Sequence, residues 1–191
     1  MNFVEQRIVT DGIVGSGDVL KVDSFLNHRM DVEFLQKVGQ RFYEMFGNEG
    51  VNKILTVESS GIGIACITAQ YFGVPVVFAK KAKTSNLSGD VYTAPAHSYT
   101  HGNDVTIMVS RRFLGKEDRV LMIDDFLACG SALEALSALV SQAGAQPVGA
   151  GIVIEKAYQG GGDALRAKGL RIDSLARIAS MSPENGIVFC D

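Results

Sequence analysis

Two adjacent carboxylates, Asp124 and Asp125, end a short apolar run in V-L-M-I-D-D-F-L-A-C-G-S-A-L-E-A-L-S-A-L-V (120–140). Small residues fill the turn that follows, and apolar Leu133, Leu136, Leu139 and Val140 then recur at helical spacing. The pattern delivers two acids to the C-terminal edge of a sheet and opens a helix directly behind them. The first N–H groups of a helix lack intrahelical partners, and the helix dipole makes them favour an anion such as phosphate. Acids beside an anion cradle suit a ligand that carries hydroxyls, or a metal, together with a phosphate. A phosphorylated ribose with Mg²⁺ fits that description.

A second turn, Val57-Glu58-Ser59-Ser60-Gly61, has small residues that bend tightly and can aim N–H groups at an anion. Gly61 and Gly63 also begin a G-x-G-x-x-G spacing. Cys66 replaces its third glycine, and Ala79, Lys80 and Lys81 stand where a ribose-binding acid belongs. Lys80, Lys81 and Lys83 lead the polar stretch K-K-A-K-T-S-N-L-S-G-D between two strands. Such a loop suits a lid whose lysines close over an anionic leaving group; a solvated basic face is the plainer alternative. Lys156 follows the apolar run G-I-V-I-E, so its ammonium can meet a ligand oxygen or its stem can snorkel along the surface. Leu20, Phe25 and Asn27 lie in L-K-V-D-S-F-L-N-H, which also reads as a packed loop. His28, His97 and His101 form no dyad pattern. Cys129 reads as a small filler, because a thiolate would repel a phosphate.

Positioning these groups takes alternating strands and helices. A helix is predicted over residues 3–10, ending at Gly12, followed by an irregular stretch over 13–28. Asp31 caps a helix whose stripe is Phe34, Leu35, Val38, Phe42, Met45 and Phe46. Strands over 53–57 and 74–79 flank a helix over 62–72, which argues for parallel βαβ units. Runs over 91–98 and 105–110, joined through T-H-G-N-D, suggest an antiparallel hairpin inserted in the wound sheet. After the Asp-Asp unit come a strand over 148–154, a short helix over 163–168, and strands over 171–178 and 186–189. The fold expected is α/β, a mostly parallel central sheet flanked by helices. The chain termini form a small hood above the strands' C-terminal ends, where such folds bind ligands.

The bulk numbers agree with one such domain. The chain has 191 residues, 47% hydrophobic and 20% charged, and a net charge of −3. That charge gives no general attraction to nucleic acid or to an anionic membrane. No apolar run reaches bilayer-spanning length, and the N-terminus lacks a basic-then-apolar signal, so a cytoplasmic protein is expected. Cys66, Cys129 and Cys190 are far apart, and with three His and no C-x-x-C they support neither a disulfide framework nor a zinc site.

The Asp-Asp segment resembles the phosphoribosyl-diphosphate (PRPP) motif of the type I phosphoribosyltransferases. The likeness extends along the chain to bacterial members that act on xanthine. It runs through L-K-V-D-S-F-L-N-H (20–28), V-E-S-S-G-I (57–62), V-P-V-V-F-A-K-K (74–81), M-I-D-D-F-L-A (122–128), G-I-V-I-E-K (151–156) and S-L-A-R-I (174–178). The resemblance implies one domain over 1–191, with residues 1–30 and 155–191 supplying the hood. It implies that Asp124 and Asp125 take the ribose, and Ala128, Cys129, Gly130, Ser131 and Ala132 the 5′-phosphate, Gly130 keeping the backbone near the ligand. Glu58, Ser59, Ser60 and Gly61, with Lys80, Lys81 and Lys83, would meet the pyrophosphate as loop and lid. Leu20, Asn27, Phe126 and Lys156 would hold a purine base. Where the family commonly has Thr, this chain has Cys129 and Ala132, leaving Ser131 as the loop's hydroxyl. Mg²⁺ would arrive with PRPP rather than in a protein metal site, and a homodimer is expected. Other purines (guanine, hypoxanthine or adenine) stay open, as does a PRPP-sensing regulator, which would need a DNA-binding module.

Overall fold

The computed structural model describes residues 1–81, 90–98 and 103–190. Helix α1 (Phe3–Asp11) is capped by Asn2, whose side chain accepts from Val4 N and Glu5 N. Gly12 ends it in an extended conformation rather than the left-handed one expected of a helix-ending glycine. Space is the reason for glycine here, since a Cβ would lie 2.4 Å from the Ile8 carbonyl oxygen. The stretch read as irregular holds a small antiparallel ribbon, β1 (Ile13–Val14) with β2 (Leu20–Lys21), and a π-helical turn, Asp23–Asn27.

Helix α2 (Val32–Phe46) starts where Asp31 accepts from Phe34 N at 3.2 Å, and it buries Phe34, Leu35, Val38, Phe42 and Phe46. β3 (Lys53–Val57), α3 (Ser60–Phe72) and β4 (Val76–Ala79) make the first parallel unit. β5 (Val91–Ser98) and β6 (Asn103–Ser110) follow, then β7 (Arg119–Leu127), α4 (Ser131–Gln142) and β8 (Gln146–Lys156). α5 (Gly161–Ala167) leads into β9 (Ile172–Ser182) and β10 (Gly186–Phe189).

Among the described residues the central sheet runs β10-β9-β8-β7-β3-β4, parallel except for the antiparallel edge strand β10. β7 and β8 are buried on both faces, as their unbroken apolar runs require. One core cluster joins α1, α2, α3 and the π-turn on one side; the other joins α4, the hairpin and α5. Gly149 and Gly151 let Phe46 and Phe42 lie flat on β8, because a Cβ at either would sit within 3.0 Å of those rings.

The β5–β6 hairpin departs from expectation. Among the described residues it forms its own two-stranded sheet, joined to the main one by a single bridge between Lys80 and Met108. Its packing partner is α4 rather than a sheet edge. Apolar Ala94, Ala96, Ile107 and Val109 make that face, so burial, not ladder pairing, places it. No helix among the described residues is long and apolar enough to cross a membrane.

Candidate active site

β7 carries Asp124 and Asp125 to its C-terminal end, where they are 6% and 8% exposed. Burial holds the Asp124 carboxyl well above the usual carboxylate range, and the neighbouring Asp125 charge pushes the same way. The Asp125 N–H, donating to Asp124 Oδ1 at 3.0 Å, and the more distant Lys81 act in the opposite direction. Burial wins. Asp125 Oδ2 accepts from Asn27 Nδ2 at 3.0 Å, so the π-turn is fastened over the strand end.

The chain then enters a loop of small residues, and Gly130, with φ of +91°, begins α4. Among the described residues, no hydrogen bond is made by the backbone N–H groups of Ala128, Cys129, Gly130 and Ala132. These residues and Ser131 line one cleft of about 730 Å³ together with Asp124 and Asp125. Residues whose N–H groups are left without a partner therefore line the cleft beside two acids. One expectation about Gly130 needs correction. A Cβ there would point at Leu165 Cδ1 (3.1 Å) and the Gly161 carbonyl oxygen (3.4 Å), toward α5. Glycine is required by its left-handed backbone and by packing behind the loop, not by crowding on the ligand side.

The turn at 58–61 forms the opposite wall. Gly61 presses against the sheet, where a Cβ would meet Thr56 Oγ1 at 2.1 Å and Asp124 Oδ1 at 3.3 Å. Glu58 N donates to the Ala79 carbonyl at 3.0 Å, and Glu58 Oε1 accepts from Lys81 N at 2.6 Å. The Glu58–Ser59 peptide is cis. Glu58 and Ser60 line the cleft, as does Lys81. Lys80 does not; it lines a second cavity of about 510 Å³, with Phe78 and Phe113. Adjacent residues of an extended segment face opposite ways, and that alternation separates the two lysines. Lys83 lies outside the described residues.

At the other end, Leu20, Asn27, Phe126 and Lys156 line the same cleft. Lys156 ends β8, donates from Nζ to the Asp18 carbonyl at 2.5 Å, and sits 5.8 Å from the centre of the Phe126 ring. Burial lowers the Lys156 pKa, with Asp18 opposing. Its ammonium is held over an aromatic face at the cleft wall rather than trailing into solvent.

Some lining residues were not singled out from sequence. Gly17, Asp18, Val19 and Gln159 border the Lys156 end, and Ala96, Val105 and Ile107 of the hairpin back the cleft. The available signal was G-S-G-D (15–18), a turn sequence in which Asp18 adopts a φ of +60°. Among the described residues, no three His, Cys, Asp or Glu side chains are grouped to hold a metal.

The cleft offers acids for hydroxyls, N–H donors for a phosphate, and an ammonium over an aromatic ring for a planar polar ligand. Comparison with known proteins agrees with that chemistry. Residues 31–170 match the model of the phosphoribosyl transferase domain. The chain is 53% identical, over 98% of its length and 97% of the relative's, to a xanthine phosphoribosyltransferase of Lachnoclostridium phytofermentans. It is 52% identical to a protein of the same name from Brevibacillus brevis, over 100% of this chain and 97% of the other. The solved structure of APRTase from Giardia lamblia, complexed with 9-deazaadenine, has a TM-score of 0.76 and 26% identity. It covers 93% of this chain and 98% of its own. Adenine phosphoribosyltransferase from Rhodothermus marinus has the same fold, at a TM-score of 0.73 and 21% identity, over 91% of this chain and 97% of its own. On the domain match, the identity over nearly the whole chain and the shared fold, the chain belongs to the phosphoribosyltransferases.

Proposed function

We infer that this chain transfers the phosphoribosyl group of PRPP to xanthine, giving xanthosine 5′-monophosphate and pyrophosphate in purine salvage. The observation that carries the reading is a single cleft holding the Asp124–Asp125 pair, the loop 128–132 and Lys156 with Asn27. Relatives more than 50% identical over nearly the whole chain bear the xanthine name, which supports xanthine over adenine.

In this reading the loop amides grip the 5′-phosphate and the two acids hold the ribose hydroxyls. Burial raises the Asp124 pKa, and a carboxyl in its protonated form can donate to a hydroxyl as well as accept from one. The wall at Glu58, Ser59, Ser60 and Gly61, with Lys81, faces the leaving pyrophosphate. Mg²⁺ suits the site as PRPP's own counter-ion, because it keeps water and phosphate ligands and needs only one or two carboxylates. When bound it neutralises charge on the departing diphosphate. The C1–pyrophosphate bond loosens to an oxocarbenium-like state, and a purine nitrogen attacks from the opposite face. The residues contribute position and charge stabilisation, without a covalent enzyme intermediate.

Lys156 and Asn27 meet the oxygens of xanthine while Phe126 and Leu20 flank its plane. Both polar groups are half-buried, and a base that covers them while leaving them unpaired is rejected. Residues 1–30 and 155–191 act as the hood of one domain, and the enzyme works as a cytoplasmic homodimer.

The deciding experiment is competition among xanthine, guanine, hypoxanthine and adenine in PRPP-dependent pyrophosphate release. Xanthine should have the highest kcat/KM; fastest turnover of adenine would overturn the base assignment. Lys156→Ala should raise the KM for xanthine about tenfold or more, as loss of a charged hydrogen bond does. The KM for PRPP should change by no more than about twofold in the same steady-state measurement. Equal loss toward both substrates would contradict a role in base binding.

A further inference from the structure

The cleft residues rest on a second layer that the reaction does not use directly. Glu155 is 1% exposed, yet it is charged and surrounded by donors. Arg166 meets it with both terminal nitrogens, Nη1 to Oε1 at 2.7 Å and Nη2 to Oε2 at 2.6 Å. Ser174 Oγ donates to Oε2 at 2.5 Å, and Arg177 Nε does so at 3.2 Å. Asp163 joins both arginines from the outside, at 3.2 and 3.3 Å. These donors hold the Glu155 carboxyl below its ordinary pKa despite its burial.

The start of α5 is wedged between this cluster and the phosphate loop. A Cβ at Gly161 would lie 2.2 Å from the Cys129 carbonyl carbon and 2.3 Å from the Ala128 oxygen. A Cβ at Gly162 would lie 2.2 Å from Glu155 Oε1. Gly130 packs back on Gly161 and Leu165 of the same helix. With seven residues and two glycines at its start, α5 is far too short to hold its place by helix propensity. Its anchors are Leu165, buried in the core, and Arg166, whose guanidinium also donates to the Ile172 carbonyl.

We propose that Glu155 and Arg166 are positioning residues: their ion pair sets α5 against the loop 128–130 and so fixes the amides that receive the ribose 5-phosphate. The role rests on the functional reading above. A displacement near 1 Å at a binding group can cost on the order of a hundredfold, so a weakened clamp should register as phosphate affinity. The Arg166 hydrogen bonds go to Glu155, Asp163 and Ile172 and not to Leu20, Asn27, Phe126 or Lys156, so xanthine binding should change less.

The test is Arg166→Lys, which keeps the charge but loses the two-pronged contact. The readouts are calorimetric titration with ribose 5-phosphate and the KM values for PRPP and xanthine. Ribose 5-phosphate affinity should fall about tenfold and the PRPP KM rise in parallel, with the xanthine KM within about twofold. Arg177→Met removes the longer Glu155 contact and the Asp163 contact beside it, leaves the Arg166–Glu155 pair in place, and should shift the same two quantities less, in the same direction. It keeps the test readable if Arg166→Lys does not fold. Unchanged phosphate affinity in both folded variants overturns the positioning role, as does an equal rise in both KM values. A wild type that neither binds ribose 5-phosphate nor consumes PRPP would instead overturn the functional reading, and this role with it.

Discussion

Asp124→Asn is expected to raise the melting temperature of the ligand-free protein at neutral pH while lowering kcat/KM for PRPP by about a hundredfold. The stability half follows from burial. Folding raises the Asp124 pKa, chiefly by desolvation and then by the Asp125 charge, so the folded chain holds this proton more tightly than the unfolded one. The resulting stability is fully present below the unfolded carboxylate value of about 3.9 and is lost as pH rises through the folded value. Between those two values the wild type must take up a proton to fold, at a cost that grows with pH. Above the folded value it must bury a charge beside a second carboxylate. Asn has no charge to bury and keeps an oxygen able to accept the Asp125 N–H, as Asp124 Oδ1 does at 3.0 Å. Its advantage should therefore widen with pH, reaching about 2–4 °C in Tm for a chain this size. Calorimetric scans between about pH 5 and pH 8 measure the widening. Parallel curves for the two proteins would show that Asp124 carries no such cost.

Gly130→Val should abolish useful PRPP binding by a different route. Gly130 has a φ of +91°, a region that a β-branched residue occupies at a cost of about 1–3 kcal/mol. The new side chain would also press on Leu165 and Gly161, with a first contact at 3.1 Å. Both effects push the loop away from α5 and rotate its amides. The PRPP KM should rise on the order of a hundredfold, with a modest loss of Tm. Gly130→Ala carries the backbone strain with one contact atom, so it should fall between wild type and Val. A folded Gly130→Val with wild-type PRPP affinity would mean that the phosphate binds elsewhere.

These two positions also show what sequence could and could not reveal. The acids, the loop and α4 were legible because each is a local pattern: an unbroken apolar strand, a small-residue turn, then helical spacing. The helix capped by Asp31 and the last strand, over 186–189, were legible for the same reason, though not the antiparallel edge position that strand takes. What escaped is contact between distant segments. Asn27 reaches Asp125 across 98 positions, and Lys156 reaches Asp18 across 138. The direction of the missing Cβ at Gly130 depends on where α5 packs, which no local pattern encodes. The hairpin was found, but its placement on α4 depends on which apolar face is left uncovered. Glu155 reads in sequence as the charged end of a strand; only Arg166, Ser174 and Arg177, arriving from later elements, turn it into a clamp. Lys80 and Lys81 could have been told apart by strand alternation alone, had β4 been known to extend to the bridge at Lys80.

Amide NMR reads the backbone N–H groups that begin at Ala128 most directly. Titrating ribose 5-phosphate into the isotope-labelled protein should move the amide resonances of Ala128, Cys129, Gly130, Ser131 and Ala132 more than any others. Asp124 and Asp125 should respond next, and the amides around Lys156 least. Saturable binding that leaves the 128–132 amides in place and shifts another cluster would contradict the account.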